Sequence, residues 1–243
     1  MKSFNYIFIL IFSLFLSCSE TPFSQSADSS GGVSKGGSTA RFAIKENILY
    51  VVEDEHLNIF DISNENESLL IDKSRVGWGI ETIFPFGDLL FLGTQVGVLI
   101  YDISVPSKPE YISEYSHIVS CDPVVTDGSY AYITLRTGTN CGRPINELHI
   151  LDLSDIRNPI FIKSISMTNP RGLAINNDIL YVCDEGIKVL DVTSKTNIIA
   201  IDHIRDIPAN DIIFHRNQLL VTADDGFYQF DAITLTQLSF YSF

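Results

Sequence analysis

One feature constrains the fold of this chain more than any other. An aspartate that closes a short apolar run recurs at Asp61, Asp102, Asp152, Asp191 and Asp231, at spacings of 41, 50, 39 and 40 residues. The runs before it are Leu57-Asn-Ile-Phe, Val98-Leu-Ile-Tyr, Leu148-His-Ile-Leu, Ile187-Lys-Val-Leu and Phe227-Tyr-Gln-Phe. Three copies carry glycine five residues ahead of the aspartate, at Gly97, Gly186 and Gly226. A second apolar run lies upstream in each copy, as in Tyr130-Ala-Tyr-Ile-Thr-Leu and Ile179-Leu-Tyr-Val. Self-similarity at about 40 residues is the signature of an architecture built by stacking one unit.

Each unit has room for four short strands. In the fourth copy these fall at 172–175, 179–183, 187–192 and 198–203, separated by turn residues such as Asn176-Asn177-Asp178 and Glu185-Gly186. Valine, isoleucine, phenylalanine and tyrosine dominate the strands, as a half-buried pleated surface favours. No long segment shows a capped helical period. The expected fold is therefore all-β: a β-propeller of five four-stranded blades, spanning 41–243 as one domain. A two-sheet sandwich does not require near-identical 40-residue units, and a solenoid unit would not already complete a small sheet.

Two stretches sharpen this into a family resemblance. Val98-Leu-Ile-Tyr-Asp-Ile-Ser followed by Pro106 and Pro109, and Leu148-His-Ile-Leu-Asp-Leu-Ser followed by Asn158-Pro159, resemble the LVIVD repeat of bacterial propeller proteins. The fifth copy departs from the pattern, with Ala232-Ile-Thr after its aspartate. The resemblance implies a propeller, often on secreted or lipid-anchored proteins, and no single activity.

The N-terminal region reads as a leader and a tether. Lys2 precedes a nearly unbroken apolar run, Phe4 to Leu16. At helical rise it covers about 20 Å, short of a bilayer core of about 30 Å, so it fits a signal-peptide h-region at 1–17. Phe15-Leu16-Ser17-Cys18 resembles a bacterial lipobox, which implies lipidation of Cys18 and a lipid-anchored protein of the cell envelope. Ser19 after the cysteine leans toward outer-membrane sorting, on the periplasmic or surface face. An ordinary cleaved signal and an uncleaved anchor are the other readings. Residues 18–40, rich in Ser, Gly and Thr, form a flexible tether with a reach of roughly 25 Å.

Charge narrows the partners. Against 16 Lys and Arg stand 30 Asp and Glu, a net charge of −14. Such a body repels phosphate backbones, which argues against nucleic acid. The partners left are the membrane, through the anchor, and an unknown protein or small polar ligand.

The third copy breaks the period. Its additional residues, Arg136 to Asn146, fall between the second and third strands and contain Cys141 and Arg143, while Cys121 precedes the first strand of the same copy. In a blade both places point to one face, so a Cys121–Cys141 disulfide is expected there, and an exported compartment permits it. Cys183 sits in an apolar strand and reads as a buried thiol rather than a nucleophile.

The candidate ligand-binding face gathers the entries to the first strands, Glu81, Asp122, Arg171 and Asn210, with Arg136 and Arg143 of the insertion and the acidic turns at Asp184 and Asp224. Solvated turns are the plainer explanation for the last two. A divalent cation is the one inorganic ligand such turns suggest; no zinc spacing, calcium loop, nucleophile elbow or phosphate-binding loop appears, so no cofactor and no catalytic residue is assigned. The repeated aspartates read as turn formers bonding their own backbone. The alternative to a binding module is a propeller hydrolase or lyase acting on a carbohydrate or lactone with a metal in the channel.

Overall fold

The computed structural model describes residues 37–116, 123–136 and 145–243. Their regular structure is β throughout, and no helix among them is long and apolar enough to cross a membrane. The first sheet holds β1 (Phe42–Lys45), β2 (Ile48–Asn64), β3 (Glu67–Phe86), β4 (Leu89–Thr94), β5 (Gly97–Asp102) and β6 (Glu110–Ser116). The second holds β7 (Val124–Thr126), β8 (Tyr130–Leu135), β9 (Glu147–Asp152) and β10 (Ile160–Ser166). The third comprises β11 (Leu173–Asn176), β12 (Ile179–Cys183), β13 (Ile187–Asp191) and β14 (Ile199–Ile204). The fourth comprises β15 (Ala209–His215), β16 (Gln218–Ala223), β17 (Gly226–Asp231) and β18 (Gln237–Ser242). Strands adjacent in sequence pair antiparallel within every sheet, the meander of a propeller blade.

The propeller expectation holds, with one correction of count. Four blades are present where five were expected, because the first two repeats share the six-stranded sheet. Strand β2 carries the second and third strand positions of the first repeat, and β3 carries its fourth together with the first of the next repeat. Pairing runs from Asn58↔Lys73 through His56↔Arg75 to Asp54↔Ile80, with a register shift between Asp54 and His56. The chain bends there with Asp54 at φ 46° rather than breaking the ladder.

All five sequence repeats nonetheless keep one local geometry. The amide two residues beyond each aspartate donates to its carboxylate, from Ser63 at 2.8 Å, Ser104 at 2.7 Å, Ser154 at 2.7 Å, Thr193 at 2.8 Å and Ile233 at 2.9 Å. The amide immediately after each aspartate reaches back to the turn before the second strand, as in Ile62 to Asn47 and Val192 to Asp178, both 2.8 Å. These are Asx turns, and they explain why aspartate recurs.

The packing follows from the two-residue period of a strand. In β4, Leu90 and Leu92 join an apolar cluster with Tyr50 and Ile59 of the first repeat, while Phe91 points the other way, into a cluster with Val124 and Ile133 of the third. Tyr132 and Ile150 pack against Leu180 and Leu190, and Tyr181 and Val189 against Leu219 and Val221. Strands buried on both faces need unbroken apolar runs, which is why Ile179-Leu-Tyr-Val-Cys183 shows no polar alternation. Full burial of a side chain such as Leu90 contributes about 1.5–3 kcal/mol.

Four clusters thus join consecutive repeats. Among the described residues no such cluster joins the fifth repeat to the first. Polar contacts from Gly37–Ala40, the end of the segment that composition assigns to the tether, link the inner strands instead. Ser38 Oγ donates to Asp211 at 3.0 Å and accepts from the Leu173 amide at 2.8 Å. Thr39 Oγ1 donates to Asp211 at 2.6 Å, and Ala40 O accepts from the Ile83 amide at 2.9 Å. The fit around Asp211 requires glycine on both sides: a Cβ on Gly37 or Gly172 would lie 2.0 or 2.1 Å from its carboxylate oxygens.

Candidate functional site

The inner strands of the blades carry the site. Each begins at one end of the channel, and the strand-entry residues Glu81, Arg171 and Asn210 occupy corresponding places in their repeats. Glu81 and Asn210 both sit at β-bulges, where the register shifts between Ile80 and Thr82 and between Ala209 and Asp211. A bulge re-aims a side chain away from the regular alternation. Here it leaves both residues on the lining of one cavity of about 280 Å³, beside Arg136 and Arg171. Thr39, Arg41 and Thr82 complete its polar wall, with Pro123 and Pro170 between them.

Bonds from the turn between the second and third strands hold the entry residues in place. Gln95 Nε2 donates to Glu81 at 3.1 Å, and Asn210 Nδ2 donates to Asp224 at 2.7 Å. Arg171 is fixed through its backbone, its amide donating to Cys183 O at 2.8 Å and its carbonyl accepting from Thr134 Oγ1 at 2.6 Å. Its guanidinium, 28% exposed, stands 3.7 Å from the carboxylate of Asp224 at the cavity rim. Burial pulls the pKa of the Arg136 guanidinium down, the charge of Arg171 adds to this, and Glu81 opposes it. The cavity therefore concentrates positive charge: three arginines face one lining carboxylate, in a chain of net charge −14.

Four residues of the sequence-derived face, Glu81, Arg136, Arg171 and Asn210, thus meet at one cavity, and Asp224 stands at its edge. Asp184 stands apart. It is buried, paired with Lys188 at 2.6 Å, and accepts from the amides of Thr168 and Asn169. Burial pushes its carboxyl up, yet the Lys188 bond and the two amides outweigh that and hold it below the usual range. Its work is to fix the chain at 168–169. Asp122, Arg143, Cys18, Cys121 and Cys141 lie outside the described residues.

Sequence reasoning missed Thr39, Arg41 and Thr82. Arg41 and Thr82 follow the strand-entry position by one residue, so extending the alignment of repeats by one place would have found them. Cys183 is a buried free thiol whose pKa burial pushes well above the usual value, as expected of a core residue. Trp78 is exposed and does not line the cavity. Among the described residues no three His, Cys, Asp or Glu side chains are grouped to hold a metal ion. A second, larger cavity of about 500 Å³ lies toward the other end of the inner strands, walled by apolar groups including Phe84, Phe86, Leu173, Ile212 and Phe214. It lacks the convergent charged side chains of the first.

Residues 36–73, the first repeat, match the model of the LVIVD repeat. The chain carries an LVIVD repeat. The match falls on the first copy, although the second and third carry the fuller motif, Val98-Leu-Ile-Tyr-Asp-Ile-Ser and Leu148-His-Ile-Leu-Asp-Leu-Ser. No curated protein matches the sequence. Among solved structures, a functionally unknown protein from Desulfotomaculum acetoxidans is similar at 12% identity and TM-score 0.62, with 83% of this chain and 68% of that chain covered. The periplasmic gluconolactonase of Pseudomonas aeruginosa is similar at 11% identity and TM-score 0.59, covering 81% and 67%. The computationally designed protein Ika8 is similar at 14% identity and TM-score 0.57, covering 82% and 60%. The chain therefore spans about three fifths to two thirds of the length of these structures, and the likeness is one of fold.

Proposed function

We propose that this protein is a lipid-anchored, extracytoplasmic β-propeller that binds a small polar ligand in the cavity at the mouth of its channel. The observation that carries this reading is convergence: Glu81, Arg136, Arg171 and Asn210, drawn from four repeats, surround one cavity. A concave site with a few placed polar groups is the usual form of a small-molecule site. The anchoring part rests on the apolar leader ending at Cys18 and on the polar stretch that follows. Lipid on Cys18 would hold the body at the envelope, and the mouth would face whatever the tether allows.

A thermal-shift screen of small polar compounds on the full chain tests the binding role. Binders should raise the melting temperature of the parent and leave Asn210→Trp, which fills the cavity, unmoved; equal shifts in both would place the ligand elsewhere. Palmitate labelling tests the anchor, which is wrong if Cys18→Ser still takes label.

The second reading, a hydrolase or lyase on a carbohydrate or lactone, draws on the periplasmic gluconolactonase among the structural neighbours. It asks for several carboxylates converging with a His or Asn, whereas this cavity sets Asn210 among three arginines and the single lining carboxylate of Glu81. Turnover of a lactone that Glu81→Gln abolishes would establish it.

A further inference from the structure

We infer that the mouth cavity takes a small hydroxylated anion, its charged group held by Arg41, Arg136 and Arg171 and its hydroxyls by Thr39 and Asn210. The inference rests on the reading of this cavity as the binding site, and names its ligand class.

Composition does not account for the arginines. The chain has eight, spread through a strongly acidic sequence, and three of them line one small cavity. The acidic turns read most plainly as solvated turns, with a divalent cation as the one inorganic ligand they suggest; the arginines of the cavity point to an anion. Glu81, the lining carboxylate, is already engaged by the Gln95 amide, and Asp224 at the rim by the Asn210 amide.

Like charges held together in a partly desolvated space repel: burial lowers the pKa of the Arg136 guanidinium, the charge of Arg171 adds to this, and Glu81 opposes it. An anion between them removes that penalty. It is also the partner that a guanidinium binds best, through two parallel N–H bonds to a carboxylate or phosphate.

Size and the neutral groups narrow the class. About 280 Å³ is at the small end for ligand sites, which run from roughly 300 to 1,000 Å³. Thr39 Oγ1 gives its proton to Asp211, and so presents lone pairs to the cavity. Asn210 gives one N–H of its amide to Asp224, which leaves its carbonyl oxygen and its second N–H for recognition. Thr39 thus offers an acceptor and Asn210 an acceptor with a donor, the complement of ligand hydroxyls.

Isothermal titration of the full chain with galacturonate, galactose 1-phosphate and galactose tests this on one sugar scaffold. At least one of the anions should bind with one site per chain, and galactose at least about tenfold more weakly, since charge-assisted bonds are roughly twice as strong as neutral ones. The carboxylate and phosphate arms show which anion the forks accept. Arg136→Gln and Arg171→Gln should each weaken that anion about tenfold or more, Arg136→Lys less, with binding falling as salt rises. Circular dichroism of each variant reports folding, and the Lys variant keeps the test open if a Gln variant fails to fold. Galactose binding as tightly as its anions, or full affinity in Arg136→Gln and Arg171→Gln, overturns the anion inference; loss of that binding in Asn210→Trp would still uphold the cavity as the site. Silence with all three probes also overturns the inference as stated, and the thermal-shift screen then judges the cavity on its own.

Discussion

The Ser38 hydroxyl donates to the carboxylate of Asp211 at 3.0 Å, across 173 residues of sequence. Thr39 doubles the link through its hydroxyl and its amide, and Ser38 passes it on to the backbone of Leu173. One carboxylate thereby ties the chain ahead of the first strand to the last blade, where, among the described residues, the apolar clusters that join the other repeats stop. Thr39 also lines the mouth cavity, so the segment ahead of the first strand ends at the candidate site.

Removing that carboxylate should loosen the fold. Asp211→Ala leaves Ser38 Oγ, the Thr39 hydroxyl and amide, and the Ile212 amide without their acceptor, and should lower stability by about 1–3 kcal/mol. Ser38→Ala should cost about 0.5–1.5 kcal/mol. Urea unfolding measures both; an Asp211→Ala chain as stable as the parent would mean the latch does not hold the ring.

The pH dependence of Asp211 has an unusual sign. Burial raises its pKa despite its four donors, so the ionised form is the one the fold penalises. Its contribution therefore improves as pH falls through the raised folded pKa toward the ordinary 3.8, and is least favourable above. The turn aspartates behave oppositely. Bonds from Ser104 and Thr193 hold Asp102 and Asp191 below the usual carboxylate range, so their contribution is present above pH 3.8 and is lost as pH falls through their lowered folded values. Unfolding curves from pH 7 to pH 2 should show Asp211→Asn flattening the first dependence, and Asp102→Ala with Asp191→Ala flattening the second.

Two glycines should respond very differently to alanine. At Gly186, φ is +108° and a Cβ would lie 2.1 Å from the Ile204 carbonyl oxygen, so the third strand could not pair with the fourth without moving. At Gly87, φ is +56° and no atom lies within 4 Å. Gly87→Ala should cost only the left-handed backbone, about 1–2 kcal/mol, and Gly186→Ala distinctly more. Equal melting temperatures for the two variants would contradict the close approach of the strands.

Thiol chemistry separates the cysteines. Cys183 is 1% exposed with its pKa pushed well up by burial, so it should resist alkylation until denaturant is added. Peptide mass mapping of the alkylated protein, run without reductant, tests the pairing of Cys121 with Cys141: a linked peptide supports it, and free alkylation of both rules it out.

The repeat was legible because a turn needs the same chemistry every time it is made. Aspartate at 61, 102, 152, 191 and 231 marks five copies of one Asx turn, and glycine at 97, 186 and 226 marks the place where the third strand meets the carbonyls of the fourth. The number of sheets was not legible. It depends on whether the ladder continues past Asp54 to Ile80, and nothing in Glu53-Asp54-Glu55 separates a bend from a break. Closure was hidden for another reason: Gly36-Gly37-Ser38-Thr39 has the composition of a linker, and only a partner far away in sequence makes Ser38 a buried residue. At the site, Glu81, Arg171 and Asn210 were found by aligning copies, and Arg136 by the insertion it opens. Asp184 has the same acidic character as Asp224 but differs in having Lys188 on the facing side of its own turn.

The central claim, that the arginine-lined mouth is the binding site, is tested most directly by the side-chain Nε–Hε NMR signals of the eight arginines during titration of the full chain with galacturonate and galactose 1-phosphate. The account predicts that at least one of these anions shifts the signals of Arg41, Arg136 and Arg171 together, with one saturation curve, while Arg157 and Arg216 stay in place. Shifts centred on other arginines, or saturation that leaves these three unmoved, would contradict it.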